Sequence, residues 1–520
     1  MTLFSPKPPR LAVTKMLPWF DESSANTARL GVEMSAAAQR KQEGLRSYDE
    51  VLIGGRWTTP STSAVIDVIS PTTEATLAHV PEGQAADIDA AVAAARDAFD
   101  SGPWPRMSAH DRAAALRRVR DEVEARAPEM SEALTAEIGA PLAASRGYHD
   151  AAVRMWESAI DVLECYPFSE TRETPEGTAR LVRMPIGVVG TIIPWNAPVP
   201  SASMKLPAAL AAGCTVVLKP APEGPVSAMM LAEALEAAEL PEGVIGVIPA
   251  GREVGEHLVR HPSVDKIAFT GSTAAGRRIM SLCGERIARV TLELGGKSAG
   301  IIADDVELDG FLTGLVSAGI DHSGQVCAAL TRVLVPRRRH DEVVDAIADI
   351  MRDLVVGDPT DPKTVLGPLA AERQRDRVET YVALGIEEGA KLIVGGRRPP
   401  HLQRGWFYEP TLFGEVDNSM RIAQEEIFGP VLCVIPFDDI DDAIRIANDS
   451  IYGLSGAVYA DDIDLAARIA EEVRAGQMWV NTWGMCITQP FGGFKQSGLG
   501  REGGIEGMSP YLEPKLIEGL

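Results

Sequence analysis

A chain of 520 residues is longer than one hydrophobic core organises, so two or three domains are expected, with room for a site between them. Its 45% hydrophobic and 24% charged residues exclude a disordered or membrane-embedded class. A formal charge of −23 without a basic stripe argues against nucleic acid as a partner, and no apolar window approaches a membrane span.

Residues 1–47 carry Pro-Lys-Pro-Pro and Ser-Ala-Ala-Ala-Gln-Arg-Lys-Gln without an apolar period, and read as a loosely ordered extension. No uninterrupted apolar stretch of signal-peptide length stands there. The six cysteines (165, 214, 283, 327, 433 and 486) show neither a CxxC pair nor disulfide-like spacing, so reduced thiols in a cytoplasmic protein are expected, and no metal site. From Asp87 onward Ile88, Val92, Ala95 and Phe99 recur at helical spacing, and Ala113–Val123 continue it. Pro and Gly around ARLVRMP break that rhythm over 161–185 and predict a projecting hairpin.

Between 187 and 305 the runs GVVGTII, CTVVLKP, VIGVIPA and KIAFTG alternate with amphipathic stretches, the pattern of a doubly wound parallel sheet. After Glu293 a second set, AGIIADD, TRVLVP, KLIVGG, VLCVIPF, LSGAVYA and QMWVNT, predicts a second α/β domain, hinged near Gly295-Gly296. Such sheets place ligands at the carboxyl ends of their strands.

Several of these strand ends carry chemistry. Gly271-Ser-Thr-Ala-Ala-Gly276 follows KIAFT and opens a helix, which suits either backbone approach to a phosphate or a plain tight turn. Arg277-Arg278 follow, so it is no nucleoside-triphosphate loop. Cys327 lies among small and polar neighbours in Ser-Gly-Gln-Val-Cys, unlike Cys214 and Cys433 in their apolar runs; a nucleophilic and a structural role both fit. His322, five residues upstream, reads as a helix-end polar residue, and no His supports a cysteine hydrolase. Glu293 ends an apolar strand before two glycines that leave room around it, and such a carboxylate either pairs with a base or has a raised pKa suited to proton abstraction. The Asn196 amide serves a developing oxyanion or ordinary turn backbone equally. Asn196, Lys219, Gly271, Glu293 and Cys327 nearly all fall at or just past strand ends, where one crevice gathers them.

In order and spacing, PWNAP (194–198), LKPAP (218–222), FTGST (269–273), LELGGKS (292–298), GQVC (324–327), EEIFGPV (425–431) and PFGGFKQSGLGRE (490–502) resemble the aldehyde dehydrogenase superfamily, from about residue 48 to the end. The resemblance implies an α/β fold of two doubly wound parallel-sheet domains with a small β oligomerisation hairpin. It divides the chain into a dinucleotide-binding domain (48–163 and 186–295), a catalytic domain (296–499) and an oligomerisation element (164–185 and 500–520) that pairs with a partner subunit's C-terminal strand in a homodimer or homotetramer.

The implied roles are Cys327 as nucleophile, Asn196 with the Cys327 N–H as oxyanion site, Glu293 as general base and Glu502 as the far end of a proton relay. For the cofactor it implies Trp195, Lys219, Gly271, Ser272, Gly276, Leu294, Glu426 and Phe428. For the substrate it implies Ala197, Met204, Val326, Trp483, Met485 and Phe491, an apolar tunnel for a medium-length aliphatic, terpenoid or aromatic aldehyde. A general base directs the acyl group to water; acyl transfer to coenzyme A and a non-catalytic binding descendant are the alternatives. Pro222 stands where many members carry a ribose-binding Glu, with Glu223 one place later. That leaves NAD favoured and NADP open.

Overall fold

The structure is a computed structural model that describes residues 45–175, 177–484, 486 and 488–519. The predicted extension therefore lies almost wholly outside the described residues. Two antiparallel pairs that the sequence pattern did not foretell come first: β1 (Val51–Ile53) with β2 (Arg56–Thr58), and β3 (Val65–Ile69) with β4 (Thr76–Pro81). β1 and β2 are too short for a period, and the turn between them is Gly54-Gly55, both at positive φ, the two-residue loop whose twist suits a hairpin.

Three helices follow: α1 (Ala85–Asp100), α2 (Ala109–Ile138) and α3 (Leu142–Cys165). α2 starts at Ser108, whose side chain accepts from Asp111 N at 3.1 Å, and stops at Gly139 in the left-handed region. It packs along α3 through residues such as Leu116, Val119, Val123 and Met130, which share one core with Trp156, Ile160 and Leu163.

The hairpin expected near 161–185 is β5 (Ser169–Thr174) with β6 (Gly177–Pro185). Parallel strands then form as read: β7 (Val188–Ile192), β8 (Thr215–Lys219), β9 (Ile245–Val247), β10 (Lys266–Thr270) and β11 (Arg289–Glu293), interleaved with α4 (Pro198–Ser203), α5 (Leu206–Ala212), α6 (Pro225–Ala237), α7 (Arg252–Arg260) and α8 (Thr273–Arg286). β7 and β8 are buried at every position because helices cover both faces. β7 has its successors β8 and β9 on one side and β10 and β11 on the other. The winding therefore reverses between β7 and β10, and that reversal opens a crevice beyond their carboxyl ends.

Residues 294–298 cross to a second sheet that begins at β12 (Ala299–Ile302). Its other members are β13 (Arg332–Pro336), β14 (Lys391–Val394), β15 (Thr411–Gly414), β16 (Val431–Phe437), β17 (Ser455–Tyr459) and β18 (Gln477–Val480), in the order β14-β15-β16-β13-β12-β17-β18. Here β12 has β13 on one flank and β17 on the other, a second reversal. β15 went unpredicted because it follows a non-helical stretch, 395–410, that breaks the strand–helix alternation. β19 (Gly498–Leu499) returns to the first sheet beside β11.

The last strand, β20 (Leu512–Glu518), corrects an expectation. It pairs with β6 of its own chain from Leu512↔Pro185 to Glu518↔Ala179, where a partner's strand was anticipated. Ile186 N donates to Tyr511 O at 3.0 Å just before that register begins, so the chain's own end is already in place when pairing starts. Among the described residues no helix is long and apolar enough to cross a membrane.

Candidate active site

The segment between the two sheets supplies the site's floor. Two glycines there have tasks other than the one expected. A Cβ on Gly296 would stand 2.4 Å from the Cys327 carbonyl oxygen, and one on Gly295 would stand 2.3 Å from a Glu426 carboxylate oxygen. The room they leave is for Cys327 and Glu426. Space for Glu293 comes from a distant glycine, Gly492, where a Cβ would lie 2.5 Å from Glu293 Oε1.

Glu293 ends β11 with its carboxyl buried, and neither oxygen has a hydrogen-bond partner among the described residues. Burial holds its pKa well above the usual carboxylate range, and the neighbouring Glu502 charge adds to this, against the pull of Lys205 and Arg501. Glu502 forms a buried ion pair with Lys205, which also donates to Thr270 Oγ1 at the end of β10. Its second carboxylate oxygen is unpartnered among the described residues. Glu502 and Phe491 exchange both backbone hydrogen bonds, at 2.7 and 2.8 Å, which ties this acid to the apolar wall. Lys205 was missed from sequence, although a lysine inside PVPSASMKLPAAL signals a buried partner.

Cys327 packs with Met204, Val326, Trp483 and Phe491 beside Leu454 and Ala328, so four predicted substrate residues surround the predicted nucleophile. Ala197 precedes α4 in the Asn196 loop, and Met485 lies outside the described residues. The free thiol is pushed up to about 12, first by burial and then by the charges of Glu426 and Glu293, while backbone N–H groups at Cys327 and Ala328 pull it down. Asn196 Nδ2 donates to Gln325 O at 2.9 Å. A primary amide has two N–H groups, so one remains for a ligand on the Cys327 side. His322, read as a helix-end polar residue, follows the helical turn Val316–Ile320 and is buried, with Nε2 3.0 Å from Asn196 O.

Around the first reversal the predicted cofactor residues divide. Gly271 follows β10, its N–H bound to Glu293 O at 3.0 Å, and Ser272 caps α8 by accepting from Ala275 N at 3.3 Å. The first N–H groups of such a helix have no intrahelical partner, which suits an anion. Gly276 has another function: its N–H bonds Ser272 O and a Cβ there would strike Leu294 at 2.5 Å, so it is a helix-packing glycine and Leu294 its cover. Lys219 is buried with Nζ donating to Ala250 O at 2.7 Å, and burial lowers its pKa to about 8. Glu426 accepts from Gly296 N at 3.0 Å, and burial raises it to about 7. Phe428, at φ 62°, meets Trp195 edge-on with ring centres 5.5 Å apart. Glu223 forms an ion pair with Arg373.

The aldehyde dehydrogenase family model matches residues 57–517. The chain belongs to the aldehyde dehydrogenase family. It is 43% identical over 472 residues to geranial dehydrogenase of Castellaniella defragrans, covering 90% of this chain and 98% of that one. It is 42% identical over 479 residues to 3-succinoylsemialdehyde-pyridine dehydrogenase of a Pseudomonas species, covering 91% and 99%. Among solved structures, Mycobacterium tuberculosis aldehyde dehydrogenase complexed with NAD+ superposes at TM-score 0.88 with 44% identity, covering 91% of this chain and 98% of that one. A mutant of aldehyde dehydrogenase C from Pseudomonas syringae, complexed with NAD+ and octanal, superposes at 0.87 with 41% identity, covering 90% and 96%. Glu293 ends β11 and Asn196 follows β7 of the first sheet, and the half-buried Cys327 thiol lies near enough to Glu293 to feel its charge.

Proposed function

We propose that this aldehyde dehydrogenase oxidises an apolar aldehyde to the carboxylic acid with NAD, through a thioester on Cys327 that water hydrolyses. The observation that carries the reading is Glu293, a buried carboxyl with both oxygens unpartnered and its pKa held high, the condition of a base waiting for a proton. Glu293, when ionised, takes the Cys327 thiol proton, which the Lys205–Glu502 pair passes outward; the thiolate attacks the carbonyl, and the free Asn196 N–H with the Cys327 N–H receives the oxyanion of the thiohemiacetal. A bound NAD would supply the hydride acceptor. Glu293 then takes a proton from water as it attacks the thioester, and Lys205 with Glu502 forms the polar exit for that proton. Lys219 and the start of α8 fit the adenosine half of the cofactor, and Glu426 with Phe428 the nicotinamide half.

NAD is supported by the two solved relatives that hold it and by Glu223, whose carboxylate disfavours a 2′-phosphate; its ion pair with Arg373 weakens that second argument. An apolar substrate is supported by the walls. Met204 belongs to the Cys327 cluster and also lines a small cavity with Met155, Ala159, Val162, Pro207 and Met508, so apolar side chains continue outward from the thiol. Geranial, which names one relative, and octanal, bound in another, have hydrocarbon tails, whereas 3-succinoylsemialdehyde-pyridine, which names a third, is polar.

The test follows reduced cofactor spectroscopically across aliphatic, terpenoid, aromatic, amino and carboxylated aldehydes, with Cys327→Ala as control. Turnover of apolar aldehydes that vanishes in Cys327→Ala is expected. Preference for a charged aldehyde would remove the substrate class, and no reduced cofactor from any aldehyde would remove the activity.

A further inference from the structure

The nucleophile is delivered by a backbone turn of unusual hand. His322, Ser323 and Gly324 follow one another at φ 51°, 55° and 73°, and only the third is glycine. A left-handed non-glycine backbone is strained and persists only where its surroundings impose it. The impositions are explicit. The Asp321 carboxylate accepts from its own neighbour His322 N at 2.9 Å and from the Tyr148 hydroxyl at 2.5 Å. Ser323 Oγ donates to Gly367 O at 2.7 Å. Gln325 donates to His322 O from both its backbone N and its Nε2, each at 3.1 Å, and its Oε1 accepts from Ala370 N at 3.0 Å.

One side chain of this assembly reaches across to the other sheet's loop. His322 Nδ1 has no partner among the described residues, and Nε2 faces the Asn196 carbonyl, so the proton belongs on Nε2 and the ring donates. Burial lowers the imidazole to about 4 and keeps it neutral. Asn196 answers with its own amide on Gln325 O. Two hydrogen bonds of opposite direction therefore join the Asn196 loop, which follows β7, to the turn that ends at Cys327.

We propose that His322 is a positioning residue of this dehydrogenase: its Nε2–H fixes Asn196 relative to the Cys327 turn, while Asp321 and Tyr148 hold the left-handed backbone from which it projects. The proposal rests on Asn196 serving as oxyanion donor. Backbone strain and the cross-loop bond are separable. Asn tolerates the left-handed region better than His but is too short to reach the Asn196 carbonyl, whereas Gln is long enough to present an N–H.

The experiment measures kcat, KM and melting temperature for His322→Asn, His322→Gln, Asn196→Ala and the double variant Asn196→Ala/His322→Asn. His322→Asn is expected to keep its melting temperature and KM and to lose about tenfold to a hundredfold in kcat, with His322→Gln recovering most of that loss. In the Asn196→Ala background, His322→Asn should change kcat by less than about twofold, because the group it positions is gone. A wild-type kcat in His322→Asn, or a loss that is fully additive with a crippling Asn196→Ala, overturns the proposal alone. An Asn196→Ala enzyme with unchanged kcat removes the oxyanion reading and the proposal with it. If His322→Asn does not fold, His322→Leu, of similar bulk and without a donor, enters the same cycle.

Discussion

Glu293 and Glu502 are two buried carboxyls served by one lysine, and their mutual repulsion sets how the site responds to pH. A base works only when ionised, so hydrolysis of the thioester climbs as pH rises through the elevated pKa of Glu293. Removing the Glu502 charge takes away a like charge and leaves Lys205 unopposed beside Glu293. Both changes favour the ionised base, so the rising limb of the kcat profile in Glu502→Gln should move to lower pH. An unmoved or alkaline-shifted limb would show that the two carboxyls do not interact in catalysis. Most residues proposed for this chemistry were legible in the sequence, but the geometry between them was not. Cys327, Glu293 and Asn196 stand in recognisable words; Lys205 and His322 do not, because their function depends on burial against residues far along the chain. The two glycines after Glu293 were read as room for that carboxylate, since neighbours in sequence are the only neighbours a sequence displays.

Among elements, legibility follows context and period. The parallel strands are continuous apolar runs between amphipathic helices and were found; the pairs within 51–81 join through turns and the strand 411–414 follows a non-helical stretch from 395, so no helical rhythm frames them. The helix after β8 shows what holds such an element in place. Its capping glycine, Gly224, has no side chain to offer, and the first-turn donors Val226 N and Ser227 N are instead received by the Glu137 carboxylate at 2.8 and 3.0 Å, from the last turn of α2. One buried side chain thereby joins the helical layer to the cofactor sheet. Glu137→Ala orphans both donors, and a loss of about 3 kcal/mol is expected from hydrogen bonds of this kind. A urea midpoint equal to wild type would mean that water replaces the carboxylate there, and the helix start would not depend on α2.

At the scale of the molecule, two features oppose each other. The three-stranded sheet β20-β6-β5 has open edges at β20 and β5, and it exposes Met184 and Leu516, each 48% accessible. Unpaired edges and bare apolar side chains favour a second copy of the chain. A charge of −23 on every copy resists that approach. Salt screens the repulsion over about 8–10 Å near physiological strength but leaves apolar contact intact, so assembly should tighten as ionic strength rises. Sedimentation at 0.02 and 0.3 M salt, between which the Debye length falls from about 21 to about 6 Å, tests the sign. The 55.6 kDa chain is expected as a dimer or tetramer, with any smaller species confined to low salt. Leu516→Arg adds a charge to the sheet without touching a buried contact, and should shift the distribution toward smaller species while the melting temperature of the protomer is retained. A distribution that ignores both salt and Leu516→Arg would place the subunit contact elsewhere on the surface, since neither the open edges nor the net charge would then govern it.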